Sequence, residues 1–226
     1  MSAEDLIQLA HGGGGRLTRE LIETQIVPRF GDGPLRGLPD GATLPSPGER
    51  LVFTTDSFVV QPVEFPGGNI GDLAVHGTVN DLAVCGGEPK WLSLALILEE
   101  GLPLAVLGRV LDAVKAAAAA CGVTVATGDT KVVARGQGDG IFINTSGIGL
   151  ARPEFALGVE KIRAGDCVLV SGTLADHGMA VLAARQGLDF IAGPQSDTGP
   201  VHRLRQAPSA PRAPEPSMRH PARGGA

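Results

Sequence analysis

Apolar residues recur along this chain at two different spacings, one typical of helices and one of strands. In residues 69–84 the apolar positions lie three and four residues apart, and Gly86-Gly87 follows directly. This pattern predicts an amphipathic helix with a stop signal at its C-terminus. Residues 51–60 and 91–98 are short apolar runs that predict strands, and the first contains a polar break at residues 54–57.

The same two patterns predict the order of the remaining elements. Pro103 occupies the first position of a helix that continues to Gly122. Thr18 is placed to cap an earlier helix whose apolar face reaches Val27. Further strands are predicted at residues 123–126, 141–150 and 167–171, and a last helix at residues 175–185. Strands that alternate with helices predict an α/β (α+β) fold, in which helices flank a sheet.

The charge of the chain is divided unevenly. Residues 1–200 carry 14 Lys and Arg against 23 Asp and Glu, whereas residues 201–226 carry five Arg against one Glu. The acidic folded part disfavours nucleic acid as a main partner. The basic end is rich in Pro, Arg and Ala and has few large apolar side chains. We therefore expect residues 199–226 to form a disordered tail.

Neither an export signal nor a membrane span is predicted. The N-terminus is acidic where a secretory signal would be basic. The longest apolar run, residues 92–98, is far shorter than the ~20 residues that a membrane span needs. Cys85, Cys121 and Cys167 form no CxxC pair and have apolar neighbours, which favours reduced, buried thiols. We expect a cytoplasmic protein that has no membrane partner.

Four consecutive glycines, preceded by His11, form the first candidate binding motif. Without side chains, Gly12 to Gly15 let the backbone approach an anion with its N–H groups turned inward. A nucleotide phosphate is one candidate ligand. A flexible linker is the alternative, because the stretch matches neither the P-loop pattern nor the dinucleotide fingerprint GxGxxG.

Three aspartates interrupt otherwise apolar segments, each beside a Thr or Asn: Asp56, Asp81 and Asp129. Buried carboxylates need partners, and Mg²⁺ held together with nucleotide phosphates would use all three. The alternative is that each one caps a helix or a turn. Lys131 follows Asp129 closely and could contact a transferring phosphate, unless it only faces solvent.

Taken together, five segments resemble the HypE family of hydrogenase maturation factors. They are LAHGGGGRLTRELI, the long stretch from FTTDSFVV to LILEEG, TGDTKVV, GIFINTSGIG and VSGTLADHGMAVLAARQGLDF. The resemblance covers roughly residues 6–198. That family belongs to a superfamily with aminoimidazole ribonucleotide (AIR) synthetase and thiamine-monophosphate kinase. The resemblance implies an AIR synthetase-like ATP-binding domain in residues 1–160, with a mixed sheet through which the chain dimerises. Residues 161–198 would begin a second domain.

The resemblance also implies a reaction and a set of site residues. Family members use ATP to dehydrate an S-carboxamide on their own C-terminal cysteine to a thiocyanate, the source of cyanide for [NiFe] hydrogenases. Lys131 and Asp81 are the implied catalytic residues, and Asp56, Asp81 and Asp129 the implied Mg²⁺ ligands. The implied partners are a second copy of the chain, the carbamoyltransferase HypF and the HypC–HypD complex. The residues that match the family's ATP motifs are His11, Gly12, Gly13, Gly14, Gly15, Asp56, Asn80, Gly128, Asp129, Thr130 and Lys131.

The family pattern ends near residue 200. Family members continue into a second α/β domain and end in a cysteine tail, whereas here a Pro/Arg-rich stretch follows. We expect a truncated or frameshifted chain whose three cysteines, lying in predicted helices or strands, cannot replace the terminal thiol. Two alternatives remain: a non-catalytic dimerisation or scaffold fragment, and another ATP-dependent member of the superfamily such as a thiamine-monophosphate kinase.

Overall fold

A computed structural model describes residues 6–12, 15–30, 50–152, 161–188 and 193–202. Its centre is a mixed sheet of four strands in the order β1-β6-β4-β5. Strands β1 and β4 each pair with β6 in antiparallel orientation, and β4 pairs with β5 in parallel. The strands of this sheet and of a small hairpin are β1 (Leu51–Phe58), β2 (Glu64–Phe65), β3 (Gly68–Asn69), β4 (Gly87–Glu99), β5 (Thr124–Val133) and β6 (Ile141–Ala151).

Helices cover one face of this sheet. The first helical stretch is continuous but changes its hydrogen bonding: α1 (Arg16–Leu21) passes through a π-helical turn into α2 (Val27–Phe30). Three longer helices follow: α3 (Ile70–Val84), α4 (Leu104–Cys121) and α5 (Asp176–Gln186). None of the helices in the described ranges combines the length and the apolar character that crossing a bilayer requires.

The core lies between the sheet and helices α3 and α4. Alternate residues of β4, such as Leu92 and Leu98, and residues of α4, such as Val110, are almost completely buried there. None of the helices in the described part of the chain covers the opposite face of the sheet, which we call the open face. Phe53 on β1 is 67 % exposed there. The predicted α/β architecture with a mixed sheet is confirmed.

Local details differ from the sequence-based predictions. The first helix begins at Arg16 with Gly15 as its N-cap, so Thr18 is not a cap. The polar break at residues 54–57 does not interrupt β1, because its residues alternate between the two faces of a strand fully paired with β6. The strand predicted at residues 167–171 is not formed, and Val168 and Leu169 are at least 90 % exposed.

Two of the three cysteines also differ from expectation. Cys121 is buried, but Cys85 and Cys167 are exposed. Cys85 caps the end of α3 at the surface, and Cys167 lies in a segment without secondary structure. The first residues of the predicted disordered tail are ordered as well: residues 199–202 lie against α3. Residues 203–226 fall outside the described part of the chain.

Candidate functional site

Asp56 on β1 and Asp81 on α3 lie where strand β1 packs against helix α3. Asp81 Oδ2 accepts a hydrogen bond of 3.1 Å from the hydroxyl of Thr54, which lies two residues before Asp56 on the same face of β1. Asp56 Oδ1 accepts a bond of 2.8 Å from the backbone N–H of Ser57. Both carboxylates are half-buried. We call Asp56, Asp81 and Thr54 the acidic cluster.

Gly77 leaves room for this cluster. It lies one helical turn before Asp81, and a Cβ there would lie 2.7 Å from the ring of Phe58 and 3.6 Å from Asp56 Oδ2. The missing side chain therefore lets α3 approach β1 closely beside the Asp56 carboxylate. Thr54 and Asp56 are about 6–7 Å apart along the strand, and both lie on the face of β1 that packs against α3. Two carboxylates and one hydroxyl are oxygen donors of the kind that a hard cation prefers.

A second polar group lies on β5, at the other edge of the sheet. Lys131 Nζ is 3.0 Å from Asp129 Oδ2, and its hydrogen bond lowers the pKa of the Asp129 carboxyl. Both side chains are more than half exposed. The strand runs close to its neighbour at Gly128, where a Cβ would collide with the carbonyl oxygen of Leu94. Thr130 pairs with Leu96 and lies on the helix-covered face of the sheet.

Gly12, the first residue of the glycine run, lies beside this second group. A Cβ on Gly12 would lie 2.7 Å from the backbone nitrogen of Val132, directly after Lys131 in sequence, so Gly12 packs in close contact with β5. His11 is buried, and its Nδ1 accepts a hydrogen bond of 3.0 Å from the backbone N–H of Gln8. This bond fixes the entry to the run. Gly13 and Gly14 lie outside the described residues.

One chain does not bring Asp129 to the acidic cluster. Asp56 pairs with Thr145, which is buried beneath α3. Asp129 pairs with Ala95, which pairs with Asn144 on the open face. With two strands between β1 and β5, the edges lie about 14 Å apart. Accordingly, the described residues contain no group of three or more His, Cys, Asp or Glu side chains that could hold one metal ion.

Asn80 has a different environment from the adjacent Asp81. Its Nδ2 donates to the carbonyl of Gly199 at 2.9 Å, and its Oδ1 accepts from the N–H of Val201 at 2.7 Å. The sequence-based predictions did not include this contact, the hydrogen bond of Thr54 to Asp81 or the close approach at Gly77. The available signal for Thr54 was its position two residues before Asp56, because residues two apart on a strand share a face.

Comparisons with known proteins show the family to which this fold belongs. The family model described as AIR synthase related protein, N-terminal domain, matches residues 39–151, which is half of the chain. This chain belongs to the AIR synthase-related family. Within that family it is 46 % identical over 224 residues to the carbamoyl dehydratase HypE of Rhizobium leguminosarum bv. viciae, which covers 99 % of this chain and 64 % of the relative.

Two solved structures extend the AIR synthase-related comparison. The fold matches that of HypE in complex with ATP, with a TM-score of 0.83 and 45 % identity, over 87 % of this chain and 58 % of that one. A HypE–HypF complex matches with a TM-score of 0.67 and 44 % identity, over 81 % and 59 %. The chain thus spans less than two thirds of the length of these relatives.

Proposed function

We propose that this chain is the nucleotide-binding part of a HypE-type carbamoyl dehydratase, which serves the maturation of [NiFe] hydrogenases. The observation that carries the proposal is the match, over nearly the whole chain, to HypE proteins, including one solved with ATP. The proposal is supported by the acidic cluster and by Gly12 against β5, which are residue types that bind Mg²⁺ and phosphate. Cytoplasmic location is part of the same proposal.

The acidic cluster fits Mg²⁺ by the chemistry of its donors. Asp56 and Asp81 offer carboxylate oxygens and Thr54 a hydroxyl, which are hard ligands on half-buried residues. When bound, Mg²⁺ would neutralise charge on the phosphates of ATP. The remaining proposed nucleotide contacts are His11, Gly12, Gly13, Gly14, Gly15, Gly128, Asp129, Thr130 and Lys131.

We infer that a second copy of the chain completes the site. The acidic cluster and the Asp129–Lys131 pair lie at opposite edges of one sheet, too far apart to hold one ion. The open face of that sheet carries exposed apolar side chains, including Leu51 and Phe53. Pairing two such faces would bury them. A symmetric homodimer would then have two sites, each with an acidic cluster from one protomer and Asp129 and Lys131 from the other.

The proposed reaction is the dehydration of an S-carboxamide to a thiocyanate. The amide oxygen attacks the γ-phosphorus of ATP and ADP departs, which makes the oxygen a phosphate ester. The C–O bond then breaks, inorganic phosphate leaves with that oxygen, and the nitrogen loses both protons to form the C≡N bond. In this scheme the ammonium group of Lys131 stabilises charge on the transferring phosphoryl group, and Asp81 holds the nucleotide's counterion. HypF and the HypC–HypD complex are the proposed partners.

A direct test offers a short peptide ending in an S-carbamoylated cysteine to the chain together with Mg²⁺ and ATP. Mass spectrometry should show an ATP-dependent loss of one water from the peptide. Asp81→Asn should abolish this loss, whereas Asp139→Asn, a loop change away from both edges of the site, should not. An unchanged peptide mass with intact Mg·ATP binding would contradict the dehydratase proposal.

A second candidate is a non-catalytic scaffold that binds no nucleotide. The observation in its favour is the segment at residues 168–170, whose Val168, Leu169 and Val170 are all at least 60 % exposed. Three consecutive exposed apolar side chains favour a docking role for this segment. Both candidates would bind HypF, so a Mg·ATP titration of the HypF-binding chain distinguishes them: the dehydratase should bind Mg·ATP, and the scaffold should not.

A further inference from the structure

Residues 195–202, which we call the clasp, cross three elements that are distant in sequence. The N–H of Ser196 donates to the carbonyl of Pro66 in the β2–β3 turn at 2.8 Å. Asp197 Oδ1 accepts at 3.1 Å from the N–H of His177 in the first turn of α5, where a carboxylate is favourable for the helix dipole. The clasp thus connects the hairpin, α5 and α3.

The surface beneath the clasp is shaped for it. Gly67 has a φ of +92°, and a Cβ there would lie 2.6 Å from the backbone nitrogen of Ser196. The hydroxyl of Ser196 accepts a hydrogen bond of 3.2 Å from the N–H of Thr198 within the clasp. The same hydroxyl contacts Nδ1 of His177 on α5 at 3.0 Å. The backbones of the hairpin and the clasp can approach this closely only because residue 67 has no side chain.

Asn80 holds the end of the clasp with both ends of its amide. Nδ2 donates to Gly199 and Oδ1 accepts from Val201, so one side chain replaces the two hydrogen bonds that a neighbouring strand would make. Thr198 approaches His76, one turn earlier on the same flank of α3, with a contact of 3.5 Å between Oγ1 and Nδ1. Side chains one turn apart on a helix form a continuous surface.

We propose that Asn80 is a positioning residue that seats the clasp on α3 and is not itself a nucleotide ligand. The inference deepens the proposed nucleotide site, because Asn80 was one of its candidate contacts. Adjacent residues on a helix point about 100° apart. Asp81 consequently reaches Thr54 on β1 while Asn80 faces the clasp. Two adjacent residues of α3 therefore have different roles: Asn80 holds the clasp, and Asp81 belongs to the acidic cluster.

Hydrogen exchange of backbone amides in the full chain tests the seating role. Asn80→Ala should accelerate exchange at Val201, Thr198 and Ser196 roughly tenfold or more, because two hydrogen bonds that resist local opening are lost. Asn80→Asp retains the acceptor for Val201 but loses the donor to Gly199, so it should restore part of the protection at Val201. Asn144→Ala, which removes another asparagine amide on β6, should leave the clasp amides unchanged.

Mg·ATP titration of the same variants tests whether Asn80 is a ligand. Asn80→Ala should keep Mg·ATP affinity within about threefold of the wild type, whereas Asp81→Asn should lose most affinity and keep normal clasp exchange. Unchanged clasp exchange in Asn80→Ala, or an affinity loss as large as in Asp81→Asn, would overturn the inference. If the wild-type chain binds no Mg·ATP, the proposed function fails, while the exchange data still decide the role of Asn80.

Discussion

Mixing two inactive variants should restore nucleotide binding if the site is shared between two chains. The variants are Asp56→Asn, which damages the acidic cluster on β1, and Asp129→Asn, which damages the pair on β5. Within one chain these residues lie on opposite faces of the sheet and at opposite edges, about 14 Å apart. A single Mg·ATP site cannot use both carboxylates from the same chain as ion ligands, since such ligands lie 2.0–2.6 Å from the ion.

The expected recovery follows from the symmetry of a dimer. In a mixed dimer, one site combines both damaged residues and the other combines the two intact ones. Random reassortment makes about half of the dimers mixed, so about a quarter of all sites should become functional. Calorimetric titration with Mg·ATP should therefore give a stoichiometry near 0.25 per chain after mixing, and close to zero for either variant alone.

Two results would refute this reasoning. The first is no recovered binding after the subunits have been exchanged by mild denaturation and refolding, which would place all ligands in one chain. The second is undiminished binding by Asp129→Asn alone, which would remove Asp129 from the site. Phe53→Asp, which puts a charge on the open sheet face, provides the control. It should yield monomers by light scattering and prevent recovery in the mixing experiment.

Two further predictions concern the frame that holds the site. Thr78→Val should lower the free energy of unfolding by about 1–3 kcal/mol, because it removes one hydroxyl of the buried pair that Thr78 forms with Thr145 under the acidic cluster. Thr78→Ser keeps a hydroxyl, so it should lose less unfolding free energy. A urea titration measures both variants. Glu99 accepts from the N–H groups of Gly136 and Gly140, which lower its pKa, so its contribution to stability is present above its unfolded pKa and is lost as pH falls through the lower folded value. Thermal midpoints of wild type and Glu99→Gln should accordingly differ at neutral pH and converge in acid, and a difference independent of pH would contradict this assignment.

The sequence pattern predicted those elements whose stabilising contacts are local. Helix α3 has Asn69 as its cap, with both hydrogen bonds of a capping box, and the predicted span of residues 69–84 agrees with Ile70–Val84. Helix α4 begins at Leu104, with Pro103 as its N-cap rather than its first helical residue, and ends at Cys121 before Gly122, which has a φ of +68°. Periodicity, caps and stop residues act within a few positions, so one segment of sequence contains them all.

The sequence pattern did not contain the relations between distant elements. Asp56 and Asp129 look equivalent as polar positions in apolar segments, yet strand order and register put them on opposite faces of the sheet. Asn80 bonds to residues about 120 positions away, and nothing near it in sequence indicates that partner. The exposure of Val168 and Leu169 likewise depends on what packs against them. Such features arise from tertiary packing and cannot be obtained from local propensity.

The most direct test of the account is a calorimetric titration of the wild-type chain and of Asp81→Asn with ATP, in the presence and absence of Mg²⁺. The wild type should bind ATP saturably and only with Mg²⁺, and Asp81→Asn should bind it at least roughly tenfold more weakly, since that change removes one of two carboxylates in the acidic cluster. Equal affinity in both proteins, or no binding by the wild type at millimolar Mg·ATP, would contradict the central claim that this chain holds a HypE-type nucleotide site.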